Sequence, residues 1–372
     1  EILRCLVGSE MCIRDSVDAL LILNAIEGLG LKRKHKLLSI AEPKDLLTDF
    51  DRYKPALLKI LGTEVFGKLE NLKTEETLEK EWDDLQKHDV KVTSVFDESY
   101  PDSLRNIDEY PLLLYYKGNE YLFRNRGVAV VGTRGASRYG LNVTRDFATE
   151  FARAGLNVIS GFARGVDTAA HKAALDVKGG TIAVVASGLD VCYPAENRAL
   201  MERILDEDGL FVSEYRLGTY AAQYNFPERN RIISGLADAV FVPEMRIKSG
   251  TMITVNHALE QGKDVFVVPA NINQPTAEGS NLLLKQMQGA LVLSPEDVLE
   301  AMGVKSDKKQ KESVQLGFYE MQILEILEQG ETHFEELMEK TGLNANDLQN
   351  VVFNMEMNDL IDRTSGNYFT LK

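Results

Sequence analysis

Between residues 127 and 293, short apolar runs alternate with longer stretches of mixed polarity. The runs are GVAVVG (127–132), LNVIS (156–160), TIAVVAS (181–187), LFVSE (210–214), AVFVPE (239–244), DVFVVPA (264–270) and ALVL (290–293). A strand with no polar face has to be covered on both sides, and the intervening segments have helical length and spacing. The pattern therefore predicts an α/β architecture, an extended Rossmann-like sheet of mostly parallel strands. VKVTSVFD and YPLLLYYKG (110–118) add strands ahead of it, after a charged helix over 75–88.

The flanks follow other periods. Residues 17–69 place apolar side chains at helical spacing, interrupted by GLG at 28–30 and by Pro43 and Pro55, so 17–72 reads as a small helical domain of helix-hairpin-helix or SAM-like type. In the hairpin reading, AIEGLGLKRKHKLL offers glycine-turn amides to a phosphate. A helix C-cap at Gly28, with the lysines on a wet face, accounts for the same residues. The Rossmann-like domain then occupies 73–302. GVKSDKKQKESV (303–314) is charged and aperiodic, and reads as a linker. Beyond it MQILEILEQG, FEELMEKTGL and NANDLQNVVFNMEMNDLI predict three helices, with Asn344 as an N-cap, and DRTSGNYFTLK predicts a hairpin. Together they suggest a winged helix over 315–372. Residues 1–16 show neither helical periodicity nor the order of a secretory signal, and are set aside as extraneous or disordered.

Composition narrows the function. With 42 basic and 57 acidic residues the 372-residue chain carries a net charge of −15, which excludes coating nucleic acid with the whole surface and confines any DNA site to a local patch. No apolar run approaches the roughly 20 residues that span a bilayer, so no membrane association is expected. Cys5, Cys12 and Cys192 form no CxxC pair, which favours a reducing, cytoplasmic compartment and no metal.

Four strand ends carry candidate chemistry. In GVAVVGTRGASRYG a strand stops at Gly132 and a helix restarts near Tyr139; Arg134 has the fork geometry for a phosphate, and Ser137 can cap the helix or donate to the same anion. A plain turn, with Arg134 salt-bridged elsewhere, fits this spacing equally well. SGFARGVDTAAHKAAL places Ser160 and Gly161 at the second strand end, and its His171 reads as structural. NFPERNRIISGL brings Phe226, Arg229, Asn230 and Arg231 to a helix start, as an anion site with a stacking face or as an arginine network tying loops together. KSGTMIT supplies Lys248, Ser249 and Gly250. Neither GxGxxG nor GxxxxGK[ST] occurs, so neither a dinucleotide cofactor nor ATP hydrolysis is supported, and no catalytic residue is assigned. Four such loops on one rim suit a strand better than a single nucleotide.

Taken in order, GTRGASRYG, SGFARGVDTAAHKAAL, SEY with FPERNRIISGL, and KSGTMIT with GSNLLLKQMQGA resemble the DNA-processing protein A family, also called Smf. The resemblance covers about 127–293, and the flanks fit the family's three-part layout. It implies a cytoplasmic bacterial protein that binds single-stranded DNA, protects it, forms a homodimer through the Rossmann-like domain and loads the recombinase RecA during natural transformation, without catalysis. By motif position it transfers DNA contact to Arg134, Ser137, Ser160, Gly161, Arg229, Asn230, Arg231, Lys248, Ser249 and Gly250. Ala270, Val255 and the turn LLLKQMQGA depart from the family pattern.

An enzyme akin to nucleotide-monophosphate phosphoribohydrolases is the alternative, but KSGTMIT lacks the PGG of that group, and Met252, Ile253 and Thr254 stand where its glutamate is expected. In the tail, eleven acidic residues face only Lys340, Arg363 and Lys372, and the third helix has no lysine or arginine. That tail is expected to contact protein rather than DNA.

Overall fold

The computed structural model describes residues 16–305, 317–328, 330–357, 360–364 and 366–371. Nearly all of the segment set aside at 1–16, with Cys5 and Cys12, and the linker beyond residue 305 lie outside the described residues. The chain divides near residue 306 into two compact units.

The first unit opens with α1 (residues 16–25), α2 (Leu31–Leu38), α3 (Asp45–Thr48), α4 (Phe50–Leu72) and α5 (Glu75–Lys87). A bend at Gly62 (φ 76°) divides α4, and Thr74 caps α5 by accepting from the Thr77 amide. The rest runs β1 (Lys91–Ser94), α6 (Asp102–Arg105), β2 (Leu113–Gly118), β3 (Gly127–Val130), α7 (Arg138–Arg153), β4 (Asn157–Ser160), α8 (Val166–Asp176), β5 (Thr181–Val184), α9 (Arg198–Asp206), β6 (Leu210–Ser213), α10 (Asn225–Leu236), β7 (Ala239–Val242), α11 (Thr251–Glu260), β8 (Asp264–Val267), α12 (Glu278–Lys285), β9 (Ala290–Leu291) and α13 (Pro295–Ala301). Every apolar run singled out above contains one of these strands.

The nine strands form one sheet in the order β1-β2-β6-β5-β4-β3-β7-β8-β9. β3 to β9 are parallel throughout, while β2 pairs antiparallel with both β1 and β6. The chain winds from β3 through β6 in one direction, returns, and winds from β7 to β9 in the other. The switch point between β3 and β7 opens a crevice at the carboxyl ends of the strands, where α/β sheets hold ligands.

Phe147 of α7 stacks on Phe241 of β7 with centroids 4.4 Å apart, one contact in the core on that face. The helical segment has no core of its own. Leu21, Leu37, Leu57 and Leu69 belong to the same buried cluster as Tyr115, Phe162 and Phe211 of the sheet region. Its lysines do not share one wet face: Lys34 donates to Asn24, whose amide donates to the Glu214 carbonyl, and the His35 ring bonds the Tyr110 carbonyl at 2.8 Å.

The second unit comprises α14 (Phe318–Leu327), β10 (Thr332–His333), α15 (Phe334–Thr341), α16 (Ala345–Met357), β11 (Ile361–Arg363) and β12 (Tyr368–Leu371), with strand order β10-β12-β11. Ile323, Leu337, Leu348, Met355 and Phe369 close its core, and Asn344 caps α16 by accepting from the Asp347 amide at 3.0 Å. This is the winged helix the tail predicted. Among the described residues, no helix is long and apolar enough to cross a membrane.

A candidate nucleic-acid groove at the switch point

A hollow of about 650 Å³ lies over the switch point, lined by the loops after β3, β4 and β7 and by α10. Arg134, Arg229, Arg246 and Lys248 line it against a single carboxylate, Asp167. In a chain of net charge −15, this is a strongly cationic patch.

The geometry of Arg229 sets the floor. The side chain is buried within electrostatic reach of Asp167, its Nη1 donates to the Gly161 carbonyl at 2.8 Å and to the Val184 carbonyl, and its Nε donates to Asn230 Oδ1 at 3.3 Å. Burial lowers its pKa to about 10, with Asp167 working in the opposite direction. Asp167 accepts from the Ala163 amide at 3.1 Å, and burial raises its pKa against the pull of Arg229. Both arginines engage Phe226: the guanidinium carbons of Arg134 and Arg229 lie 5.1 and 5.8 Å from its ring centroid. Tyr193 approaches the same ring at 5.7 Å. Arg134 itself is exposed.

α10 is held from several directions. Arg231 ion-pairs with Glu214 at 2.5 Å, Asn230 Nδ2 donates to the Gly250 carbonyl at 3.3 Å, and Lys263 donates to the carbonyls of Ser234, Gly235 and Ala237 near the helix C-terminus. Burial lowers the pKa of Lys263 to about 8. At the start of α11, Ser249 Oγ accepts from the Thr251 amide at 3.2 Å.

The structure gathers Arg134, Phe226, Arg229, Asn230, Lys248, Ser249 and Gly250 around the hollow. Four expected contacts are placed elsewhere. Ser160 is fully buried and donates to the Val130 carbonyl at 2.7 Å. Gly161 lies beneath the groove lining, its carbonyl taken by Arg229. Ser137 caps α7, accepting from the Gly140 amide, and its own hydroxyl and amide donate to Glu244 at 2.8 and 2.7 Å. The Arg231 side chain is buried in its ion pair with Glu214. For Arg231 the arginine-network reading describes what is seen.

Gly132 also has another reason to be glycine. A Cβ there would lie 2.5 Å from Val166 Cγ2 and 2.8 Å from the Glu244 carbonyl, so the close approach is to neighbouring loops. His171 is buried, its pKa lowered to about 3 by desolvation. Its Nδ1 lies 2.7 Å from the Thr181 hydroxyl, whose proton goes to the Val158 carbonyl, so the imidazole donates there. Sequence reasoning missed Asp167, Arg246, Tyr193 and Glu244. The carboxylate of Glu244 is fully buried and also accepts from Thr276 Oγ1 at 2.5 Å. Of the family departures, Val255 is a core residue of α11, and Ala270 exchanges backbone hydrogen bonds with the Asn281 side chain.

A Rossmann-like sheet with a cationic groove at its switch point, carried on the same chain as a winged helix, defines the class of protein. The family model of the DNA recombination-mediator protein A matches residues 91–303, and that of the DprA winged helix domain matches 319–367; the chain belongs to the DNA recombination-mediator protein A family. It is 43% identical to Protein Smf of Escherichia coli over 204 residues, 55% of this chain and 54% of that protein. It is 43% identical to DNA processing protein DprA of Streptococcus pneumoniae over 207 residues, 55% of this chain and 72% of that protein. The match thus spans only about half the length of the first relative. The X-ray structure of DNA processing protein A from S. pneumoniae superposes with a TM-score of 0.66 at 36% identity, covering 76% of this chain and 97% of that one. DNA processing protein A from Helicobacter pylori, whose structure is described as giving insight into a unique single-stranded DNA binding mode, superposes with a TM-score of 0.52 at 29% identity, over 57% and 95% of the two chains.

Proposed function

We propose that this chain binds single-stranded DNA in the switch-point groove, as a mediator that protects the strand and hands it to the recombinase RecA in natural transformation and recombination. The observation that carries the reading is the set of four cations around one carboxylate in an otherwise acidic chain. Arg134 and Lys248 are exposed for phosphates, and Arg229 is held in place beneath them. The DNA binding described for the H. pylori relative supports it. The reading is of a cytoplasmic binder rather than an enzyme. Asp167, the groove's carboxylate, already accepts a hydrogen bond from the Ala163 amide and lies in the field of Arg229, and His171 is fully buried and does not line the groove.

Homodimerisation through the Rossmann-like unit belongs to the same proposal. It is supported by Met287, Leu291 and Leu293, exposed around β9 at the open end of the sheet. A winged helix without a basic recognition helix fits contact with protein: Asn346, Gln349, Asn350 and Phe353 are among the exposed positions of α16, with Ala345, Asp347 and Asn354.

The test is a salt-titrated gel shift with single-stranded and duplex competitors, run beside an assay for base release from nucleoside monophosphates. Preference for single strands, a steep salt dependence and no turnover are expected. Equal duplex binding or measurable turnover would defeat the proposal.

A further inference from the structure

Phe226 is the aromatic residue that the sequence offers as a stacking face, yet in the structure two guanidiniums and the Tyr193 ring already crowd it. The free aromatic surface lies next door. Tyr220 and Tyr224, in the loop between β6 and α10, are 80% and 73% exposed. Between them Ala221 and Gln223 line the groove, which sets both tyrosines on its rim.

This loop is not slack. Asn225 Nδ2 donates to the carbonyls of Ala186 at 3.0 Å and Tyr220 at 3.4 Å, and the Gly188 amide donates to the Thr219 carbonyl at 2.9 Å. The Gly218 amide is held by both carboxylate oxygens of Asp190 at 2.9 Å. The backbone is thus fastened to the loop after β5 while two large rings stand in water. The stretch LGTYAAQY (217–224) carries no charge, so it cannot hold phosphates by ion pairing. Rings on a fixed, neutral loop beside a cationic groove suit the faces of nucleobases, which stack on aromatics regardless of sequence.

We propose that Tyr220 and Tyr224 form a base-stacking step that extends the groove, so that the strand lays its phosphates over Arg134 and Lys248 and its next bases on the β6–α10 loop. The inference rests on the single-stranded DNA reading of the groove and deepens it. It makes the site longer than the cationic hollow and gives it a base-dependent half and a backbone-dependent half. Tyr193, 47% exposed and in contact with Phe226, lines the cationic half itself.

The test measures dissociation constants of the full chain for oligothymidylates of increasing length and for backbone-matched abasic strands. Wild type is compared with the double variant Tyr220→Ala/Tyr224→Ala and with Tyr220→Phe/Tyr224→Phe. The alanine variant should lose about five-fold or more on long base-bearing strands. It should match wild type on abasic strands and on the shortest strand that binds, and the phenylalanine variant should retain the wild-type affinity. Wild-type affinity of the alanine variant on long thymidylates, or an equal loss on abasic strands, overturns the stacking step while leaving the groove intact. Failure of wild type to bind any strand overturns the groove reading and this inference with it.

Discussion

Arg229 and Gly161 meet across the switch point: Arg229 Nη1 donates to the Gly161 carbonyl at 2.8 Å, and a Cβ on residue 161 would fall 2.9 Å from Arg229 Nη2. The glycine makes room for the arginine, and the arginine satisfies the end of β4. Arg229 is therefore as much a structural residue as a binding one.

Arg229→Ala and Arg134→Ala should separate on that basis. Loss of Arg229 leaves the buried Gly161 and Val184 carbonyls without their donor and should cost about 1–3 kcal/mol of stability. Arg134 is exposed, and its loss should stay within about 0.5 kcal/mol of wild type. It should nevertheless weaken single-strand binding and reduce the salt slope by roughly 0.7. Urea unfolding beside salt-titrated binding reads both, and equal stabilities for the two variants would contradict the assignment.

The glycines of the first loop divide in the same way. Gly132→Ala must push against Val166 and the Glu244 backbone, and should destabilise by about 1–3 kcal/mol. A Cβ at Gly135 meets nothing within 4 Å, so Gly135→Ala should melt close to wild type. Matching melting temperatures for the pair would show that the loop yields more than its packing implies.

His171 makes stability depend on pH. Its folded pKa, about 3, lies below the ordinary 6.5, so between these values the unfolded chain binds the extra proton. This contribution is complete above pH 6.5 and is lost as pH falls towards 3, at a slope of at most about 1.4 kcal/mol per pH unit. His171→Asn keeps a donor for Thr181 and removes the titration. Denaturation at stepped pH should show a shallower acid loss in the variant, and unchanged slopes would refute the assignment.

The dimer proposal turns on the end of the sheet. Met287 is 92% exposed and Leu293 73%. Met287→Glu with Leu293→Glu should leave the fold intact while shifting the mass measured by light scattering from dimer to monomer. A variant of undiminished mass would place the interface elsewhere.

The strands were legible because a sheet covered on both faces writes unbroken apolar runs, repeated here at regular intervals between helical stretches. The groove was legible only in part. Its arginines and glycines stand out, but which way a residue points at a strand end depends on the pleat and on partners far along the chain. Ser160 pairs in register with Ala183 and turns its hydroxyl to Val130. Ser137 is claimed by Glu244, 107 residues away. Arg229 and Arg231 look alike in sequence, yet one reaches Gly161 and the other Glu214. Helical periodicity in 17–72 shows that a face is buried, not that the sheet buries it.

That shared burial bears on what can be detached. The family match begins at residue 91, but Leu113, Tyr115 and Phe211 share their buried cluster with Leu21, Leu37, Leu57 and Leu69. A fragment trimmed to the matched region would turn part of its interior into a sticky outer wall. The leading helices are thus a cladding fitted to this sheet, and in this chain the seam between them is interior rather than surface.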